Sequence, residues 1–217
     1  SILIFQFGFG APGNFKNPEK TVPLNLMGAV YLGGAIVPIL LTLIIMVITF
    51  TIERMLSLAK AKGKGPIEPF LKKVQSALLE GDVDGAIAAC NQQRGSIANI
   101  IKQGLDRYQT LVGDNRLEAE QKLTEVSAAV EEAMMLEVPL LERNLVALST
   151  IASVSVLVGL FGTVVGMIKS FQALATAGTP NAAELSAGIS EALVNTAGGL
   201  LGAIIGTISY NFFVTKV

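Results

Sequence analysis

Two long apolar segments, joined by a short polar link, occupy residues 149–210 and constrain the fold more than any other feature. The uncharged stretch Ile151–Met167 and its flanks reach the roughly 20 residues that an α-helix needs to cross a bilayer. The second segment, Gly188–Tyr210, has a similar length and one ionisable residue, Glu191. The pattern predicts two transmembrane helices that run antiparallel to each other.

The composition is typical of a membrane protein. Hydrophobic residues make up 51% of the chain and charged residues 15%, and the mean hydropathy is +0.58, whereas about a quarter of the residues in a soluble domain are charged. With a net charge of −1, the chain has no overall positive potential that would attract nucleic acid. One cysteine, Cys90, and no histidine exclude an intrachain disulfide, histidine-based catalysis and the usual zinc ligands. We therefore expect no metal, no cofactor and no enzyme.

A third uncharged run, from Leu24 to Ile52, is also long enough to span a bilayer, and Pro38 is expected to kink it. Twelve of the sixteen Lys and Arg residues lie between residues 53 and 147. By the positive-inside rule this central region is cytoplasmic, so the N-terminus lies outside and three spans place the C-terminus inside.

The fold class that follows is an all-α integral membrane protein with three transmembrane helices. Helix formers continue from Arg116 to Glu142, with Pro139 as the only breaker before the second span. We therefore expect a long second helix of about sixty residues, on the order of 90 Å, that extends into a helical cytoplasmic domain. The predicted layout is an external leader or interfacial segment (1–23), transmembrane helix 1 (24–52), the cytoplasmic domain (53–147), transmembrane helix 2 (148–177), an external link (178–187), transmembrane helix 3 (188–210) and a cytoplasmic end (211–217).

Small residues recur at helical spacing on both arms of the 149–210 hairpin. Such faces let helix backbones approach closely inside a membrane, where lipid removes the hydrophobic drive for association. The pattern predicts a tight helix pair that packs through Gly159, Gly162 and Gly166 on the first arm and Gly198, Gly202 and Gly206 on the second.

Polar residues also lie on the third span. Glu191 and Asn195 share one stripe with Thr196 beside it, and an antiparallel hairpin puts Thr163 at about the same depth as Glu191 and Thr196. A carboxylate that faced lipid would cost several kcal/mol, so Glu191 is expected to face a bundle interior or a watery passage. Alternatively, Glu191 snorkels to the outer interface, and each threonine bonds a carbonyl of its own helix.

One carboxylate and two hydroxyls on three spans do not make a pore. A ring of such subunits could line a central passage with repeated Thr and Glu side chains. The sequence contains no phosphate-binding loop, so any energy would have to come from an ion gradient.

At these residues the chain resembles the MotA/TolQ/ExbB proton-channel family, and its ExbB/TolQ branch most closely. The four-span MotA branch fits less well, because only three spans are visible. The resemblance covers roughly residues 24–217, and its carriers are Leu160–Phe171 on the second span, Gly188–Ala197 on the third, Tyr210–Asn211 at its end and Glu53–Arg54 after the first.

The resemblance implies a bacterial inner-membrane ring, expected to be a pentamer, whose external side is the periplasm. The ring would surround the single transmembrane helices of an ExbD-like or TolR-like partner that carries a membrane aspartate. It would energise a TonB-like or TolA-like protein for outer-membrane transport or envelope maintenance. Thr163 and Thr196 match the family's pore-facing threonines and Glu191 its membrane glutamate, while Asn195 stands where the family more often has a small apolar residue.

Two other functions remain open on the residues alone. In the first, the protein is a structural membrane scaffold whose glycine faces pack helices without ion conduction, with Glu191 as a registry device. In the second, it is a secondary transporter that acts alone, although the sequence shows no inverted repeat.

Overall fold

The computed structural model describes residues 1–20, 22–113, 118–176 and 182–217, and their regular structure is helical apart from an isolated bridge between Phe15 and Pro23. This confirms the all-α prediction. Residues 178–181 of the predicted external link, and Arg116 at the predicted start of the long helix, lie outside the described residues. The α-helices are α1 (Leu26–Tyr31), α2 (Val37–Ala61), α3 (Ile67–Leu79), α4 (Val83–Gln93), α5 (Ser96–Val112), α6 (Ala119–Glu142), α7 (Leu145–Thr176) and α8 (Ala182–Val214).

The chain forms two compact units. The first contains Ser1–Ile52 and Asn144–Lys216, and the second contains Glu53–Arg143 together with Val217. Three helical runs in the described residues are long and apolar enough to cross a membrane, as predicted: Gly34–Ala61, Ala119–Ala175 and Ala183–Val214.

Pro38 stands at the start of an α-helix, whereas the expectation was a proline kink within a continuous span. It is the second residue of α2, where the backbone N–H has no intrahelical acceptor, so a proline there costs the helix no hydrogen bond. The apolar residues before Pro38 do not form one continuous helix. Helix α1 ends at Tyr31, and a 3₁₀ turn, Gly34–Ile36, precedes α2.

The leader of the first unit folds around Tyr31. Its ring stacks on Phe5, with ring centroids 4.8 Å apart, and meets Phe15 edge-on at 5.6 Å. The Asn25 side chain donates a hydrogen bond to Asn14 Oδ1 at 2.9 Å and also accepts one from the third residue of α1, which caps that helix. These contacts give the leader a defined structure of its own.

The second unit has a small hydrophobic core between α3, α4 and α5. Asp82 caps α4, because its Oδ1 accepts a hydrogen bond from the Gly85 N–H at 2.8 Å. Helix α6 packs against α5 where the absent side chain of Gly104 leaves room for Val130. The core residues are Phe70, Val74, Ala86, Ala89, Cys90, Ala98 and Leu105.

The expected single helix of about sixty residues is interrupted: the helical run Ala119–Ala175 has 57 residues, but Arg143 and Asn144 divide it into α6 and α7. Arg143 is extended, with φ −51° and ψ 137°, and Asn144 has φ +67°, so α6 has 24 residues and α7 has 32. Asparagine tolerates the left-handed region better than most residues do. The carbonyls at the end of α6 need outside donors, and the buried Arg54 guanidinium donates to the Leu141 oxygen at 3.0 Å.

Candidate functional site

Helices α7 and α8 touch backbone to backbone. A Cβ on Gly159 would lie 3.0 Å from the Gly199 Cα, and a Cβ on Gly166 would lie 2.7 Å from the Gly188 carbonyl oxygen. Because no side chain separates the two helices at these positions, they approach as closely as helices in membranes do. We call this contact, made by Gly159, Gly162, Gly166, Gly188, Gly199, Gly202 and Gly206, the glycine seam.

Five of the six predicted packing glycines lie in the seam, and the sixth faces elsewhere. Gly202 packs on Ser155, and Gly206 packs on Ala152. Gly198 faces Leu40 of α2, at 3.2 Å from its would-be Cβ, and its neighbour Gly199 faces α7. The seam on α8 therefore includes Gly199, which was not among the glycines predicted from the sequence.

Glu191 forms an ion pair across the hairpin. Its Oε1 accepts a hydrogen bond from the Lys169 ammonium of α7 at 2.6 Å. The Glu191 side chain is 11% exposed, whereas that of Lys169 is 53% exposed. A charged group inside a membrane protein is stabilised when it pairs with the opposite charge, which gives the Glu191 carboxylate a reason to be buried.

The chain before α2 closes the other side of the carboxylate. Gly34 has φ +74°, a conformation that favours glycine, and a Cβ there would lie 2.5 Å from Glu191 Oε1. Lys169 and Glu191 also line an open cavity of about 510 Å³, together with Pro23, Leu32, Glu184 and Ser190 among others. The Glu191 carboxylate is therefore held against Gly34, and the Lys169 ammonium that pairs with it lies at the cavity.

Thr163 and Thr196 lie close to each other in depth along the hairpin. Gly162 packs on Asn195, and because the helices run antiparallel, the next residue of each helix lies on the opposite side of that contact, a difference in depth of about 3 Å. Thr163 Oγ1 donates to the Leu160 carbonyl at 2.6 Å, and Thr196 Oγ1 donates to the Ala192 carbonyl at 3.1 Å. Each hydroxyl thus bonds its own helix, as the alternative interpretation held, and keeps lone pairs that can accept a hydrogen bond.

Glu191 is five residues before Thr196, or about 7 Å along α8 at 1.5 Å per residue. The contacts of Gly162 with Asn195 and of Gly166 with Ala192 place Thr163 between Glu191 and Thr196 in depth. Lys169 joins this group through its ion pair with Glu191. Reasoning from the sequence missed Lys169, although it is the only basic residue between 149 and 210 and that isolation was a signal.

Asn195 is fully buried against Gly162. A Cβ on Gly162 would lie 2.4 Å from the Asn195 Cβ and 2.9 Å from its Nδ2. Neither Oδ1 nor Nδ2 of Asn195 has a hydrogen-bond partner among the residues that the structure describes. A buried amide without partners costs free energy, so Asn195 is a locally unfavourable residue at the centre of the seam.

The part of the chain that the structure describes contains no group of side chains that would hold a metal ion. Within residues 1–20, 22–113, 118–176 and 182–217, no three His, Cys, Asp or Glu side chains come together as ligands. The chemistry that the described residues can supply is proton exchange at a carboxylate and hydrogen bonding at two hydroxyls and an amide.

Comparison with known proteins shows that the region containing α7 and α8 matches a known family. The sequence profile of the MotA/TolQ/ExbB proton channel family matches residues 92–217, more than half of the chain and the whole of α7 and α8. The chain is 37% identical over 120 residues to the Tol-Pal system protein TolQ of Pseudomonas aeruginosa, which covers 55% of this chain and 52% of that protein.

Two further relatives agree. The biopolymer transport protein ExbB of Salmonella typhimurium is 46% identical over 70 residues, which are 32% of this chain and 29% of that protein. A putative ExbB homolog of Methanothermobacter thermautotrophicus is 30% identical over 152 residues, which are 68% of this chain and 53% of that protein. The chain therefore spans about half or less of the length of these curated relatives.

Proposed function

Because the chain belongs to the MotA/TolQ/ExbB proton channel family, we propose that it is a proton-conducting subunit of an ExbB/TolQ-like motor in the bacterial inner membrane. The observation that carries the proposal is Glu191: a buried carboxylate within an apolar helix, held by Lys169 beside an open cavity. An ionisable side chain inside a membrane segment marks an ion or proton path far more often than a packing device.

The working unit would be an oligomer. A single chain offers one carboxylate and one level of threonines, so a conducting path needs copies of the hairpin around a common axis. We expect a homopentamer that encloses an ExbD-like or TolR-like single-span protein, whose membrane aspartate exchanges protons with the ring. The motion of that partner would energise a TonB-like or TolA-like protein for outer-membrane transport or envelope maintenance.

Each polar residue would have its own role on the path. The Thr163 and Thr196 hydroxyls accept hydrogen bonds from passing water or from the partner carboxyl, since their own protons are held by helix carbonyls. Glu191 takes up and releases protons one and a half turns away. Asn195 directly precedes Thr196 and is fully buried against Gly162, so its amide would gain a hydrogen-bond partner only if the hairpin rearranged beside the path.

The orientation follows from the distribution of basic residues. Residues 53–147 would face the cytoplasm, with the N-terminus and the 178–187 link in the periplasm and the C-terminus in the cytoplasm. The layout assigns residues 1–23 to the periplasmic surface and residues 24–52, 148–177 and 188–210 to the bilayer.

The proposal is tested by proton-driven transport in cells that co-express the partner. Thr163→Val and Glu191→Ala should preserve assembly and abolish gradient-driven work. Thr150→Val is the matched control, because the Thr150 hydroxyl also bonds its own helix, at the Val146 carbonyl 2.8 Å away, but lies elsewhere on α7. Full transport by both site variants would refute the proton-path assignment.

The second candidate function, a scaffold without conduction, is favoured by the glycine seam alone. It predicts that transport continues when the proton gradient is collapsed. Native mass spectrometry of the detergent-purified protein, with and without the co-expressed partner, separates the two possibilities at the level of assembly. A pentamer that binds a fixed number of partner chains supports the motor, and a monomer or dimer that ignores the partner supports the scaffold.

A further inference from the structure

We infer that Lys169 is a positioning residue that holds Glu191 as a carboxylate, and that a proton reaches Glu191 only by displacing the Lys169 ammonium. The 2.6 Å pair joins the two arms of the hairpin at the edge of a cavity. In the resting state the two opposite charges neutralise each other, so the hairpin places no net charge at this depth.

The two members of the pair differ in their freedom to move. The Glu191 side chain is 11% exposed, and Gly34 lies next to its Oε1. Lys169 is half exposed, and its flexible four-carbon stem lets the ammonium swing while the backbone stays in place. The carboxylate is thus the fixed partner and the ammonium the mobile one.

The cavity beside the pair can receive the displaced ammonium. The charged residues that line it are Lys169, Glu184 and Glu191, and Ser186 and Ser190 add hydroxyl oxygens. Glu184 is two turns before Glu191 on α8 and is exposed. A Lys169 ammonium that leaves Glu191 can therefore meet polar oxygens on the wall of this cavity.

The step is a simple proton uptake. A proton delivered by the gradient binds to the Glu191 carboxylate, the hydrogen bond from Lys169 breaks, and the products are a neutral carboxyl group and a free ammonium. The site gains one positive charge, and loss of the proton restores the pair. Lys169 keeps its own proton throughout.

Thermal unfolding of the detergent-purified full chain at neutral pH tests the pairing. Lys169→Met should lower Tm by about 5 to 10 °C, because Glu191 loses its cation and must take up a proton to stay buried. Lys169→Arg should stay near wild type, and Lys169→Met with Glu191→Gln should recover most of the loss. Glu184→Gln is the matched control and should not rescue Lys169→Met. An unchanged Tm in Lys169→Met, or rescue by Glu184→Gln, would overturn the inference.

Infrared spectroscopy reads the charge state directly and does not depend on stability. At neutral pH the wild-type spectrum should contain no protonated-carboxyl band that Glu191→Gln removes, whereas the Lys169→Met spectrum should contain one. Such a band in the wild type, or its absence in Lys169→Met, would refute the role of Lys169. The inference deepens the role proposed for Glu191, but both readouts are made without a partner or a gradient. They can therefore fail while the motor proposal stands, and the reverse is also true.

Discussion

The Asn195 side chain combines complete burial with a lack of hydrogen-bond partners among the described residues. An unsatisfied buried polar group costs about 1 to 3 kcal/mol, and the cost is not reduced by the tight contact with Gly162. Such a residue in the middle of a close-packed seam lowers the stability of the hairpin in the state that the structure describes.

Asn195→Ala should therefore raise the stability of the protein. Removal of the amide relieves its desolvation, and the small void left behind offsets only part of the gain, so we expect an increase of about 1 kcal/mol. The measurement is Tm in detergent, and Asn211→Ala, at an exposed position of the same helix, should leave Tm unchanged. A drop in Tm for Asn195→Ala would mean that the amide has a stabilising partner.

Individual residue roles were only partly predictable. Glu191 was identifiable because a carboxylate in an apolar segment needs a physical explanation. Its partner was not identified, since Lys169 lies 22 positions earlier and the pairing depends on the register of two helices. Gly34 was equally hidden, because its contact with Glu191 joins residues 157 positions apart through a positive φ.

At the level of secondary structure elements, the α7–α8 pair depends on which face each glycine occupies. Gly199 lies against α7, where a Cβ would come within 2.6 Å of the Ser155 carbonyl oxygen. Gly198 faces the end of the Leu40 side chain at 3.2 Å, and that side chain can move. The methyl group of an alanine would therefore contact a movable side chain at position 198 and a rigid backbone at position 199.

Gly199→Ala should destabilise the hairpin, whereas Gly198→Ala should be neutral or stabilising. Gly199→Ala forces the α7 and α8 backbones apart, and overpacking of this kind typically costs about 1 to 3 kcal/mol of stability. The second adds a methyl group beside a flexible side chain and gains up to about 1 kcal/mol of helix propensity. Thermal unfolding of the two variants side by side is the measurement, and equal Tm values would contradict the assigned faces.

The elements themselves were largely predictable, and their junctions were not. Three runs of apolar residues of sufficient length identify three membrane-spanning helices. The break at Arg143 and Asn144 had no strong sequence signal, because neither residue is a glycine or a proline and Pro139 lies inside α6. The predicted first span begins at Leu24 and includes both α1 and the start of α2, since hydropathy does not distinguish a short helix followed by a turn from a continuous span.

For the whole molecule, the second unit has a hydrophobic core of its own, and Cys90 is part of it. Burial raises the pKa of the Cys90 thiol, and the nearby Lys102 only partly opposes this effect. Since the thiolate is the reactive form, a higher pKa leaves less of it at neutral pH than a free cysteine has.

Alkylation of Cys90 should therefore report the unfolding of the second unit. In the folded protein at neutral pH, we expect labelling to be slower than in the denatured chain by on the order of a hundredfold, because reaction requires local opening. The rate should continue to rise with pH above the range in which a free thiol levels off. Mass spectrometry measures one site without ambiguity, because the chain has a single cysteine. Equal rates in the folded and denatured protein would exclude Cys90 from a folded core.

The glycine seam also gives the α7–α8 pair its mechanical character. Two helices in contact along their whole length resist bending more than either helix would alone. From Gly166 to Gly206 the contact is made by glycine backbone, small side chains and the Asn195 amide, so few long side chains are present that could change rotamer and absorb strain. We therefore expect a displacement of the hairpin near Lys169, at one end of the seam, to move Gly206 at the other end with it.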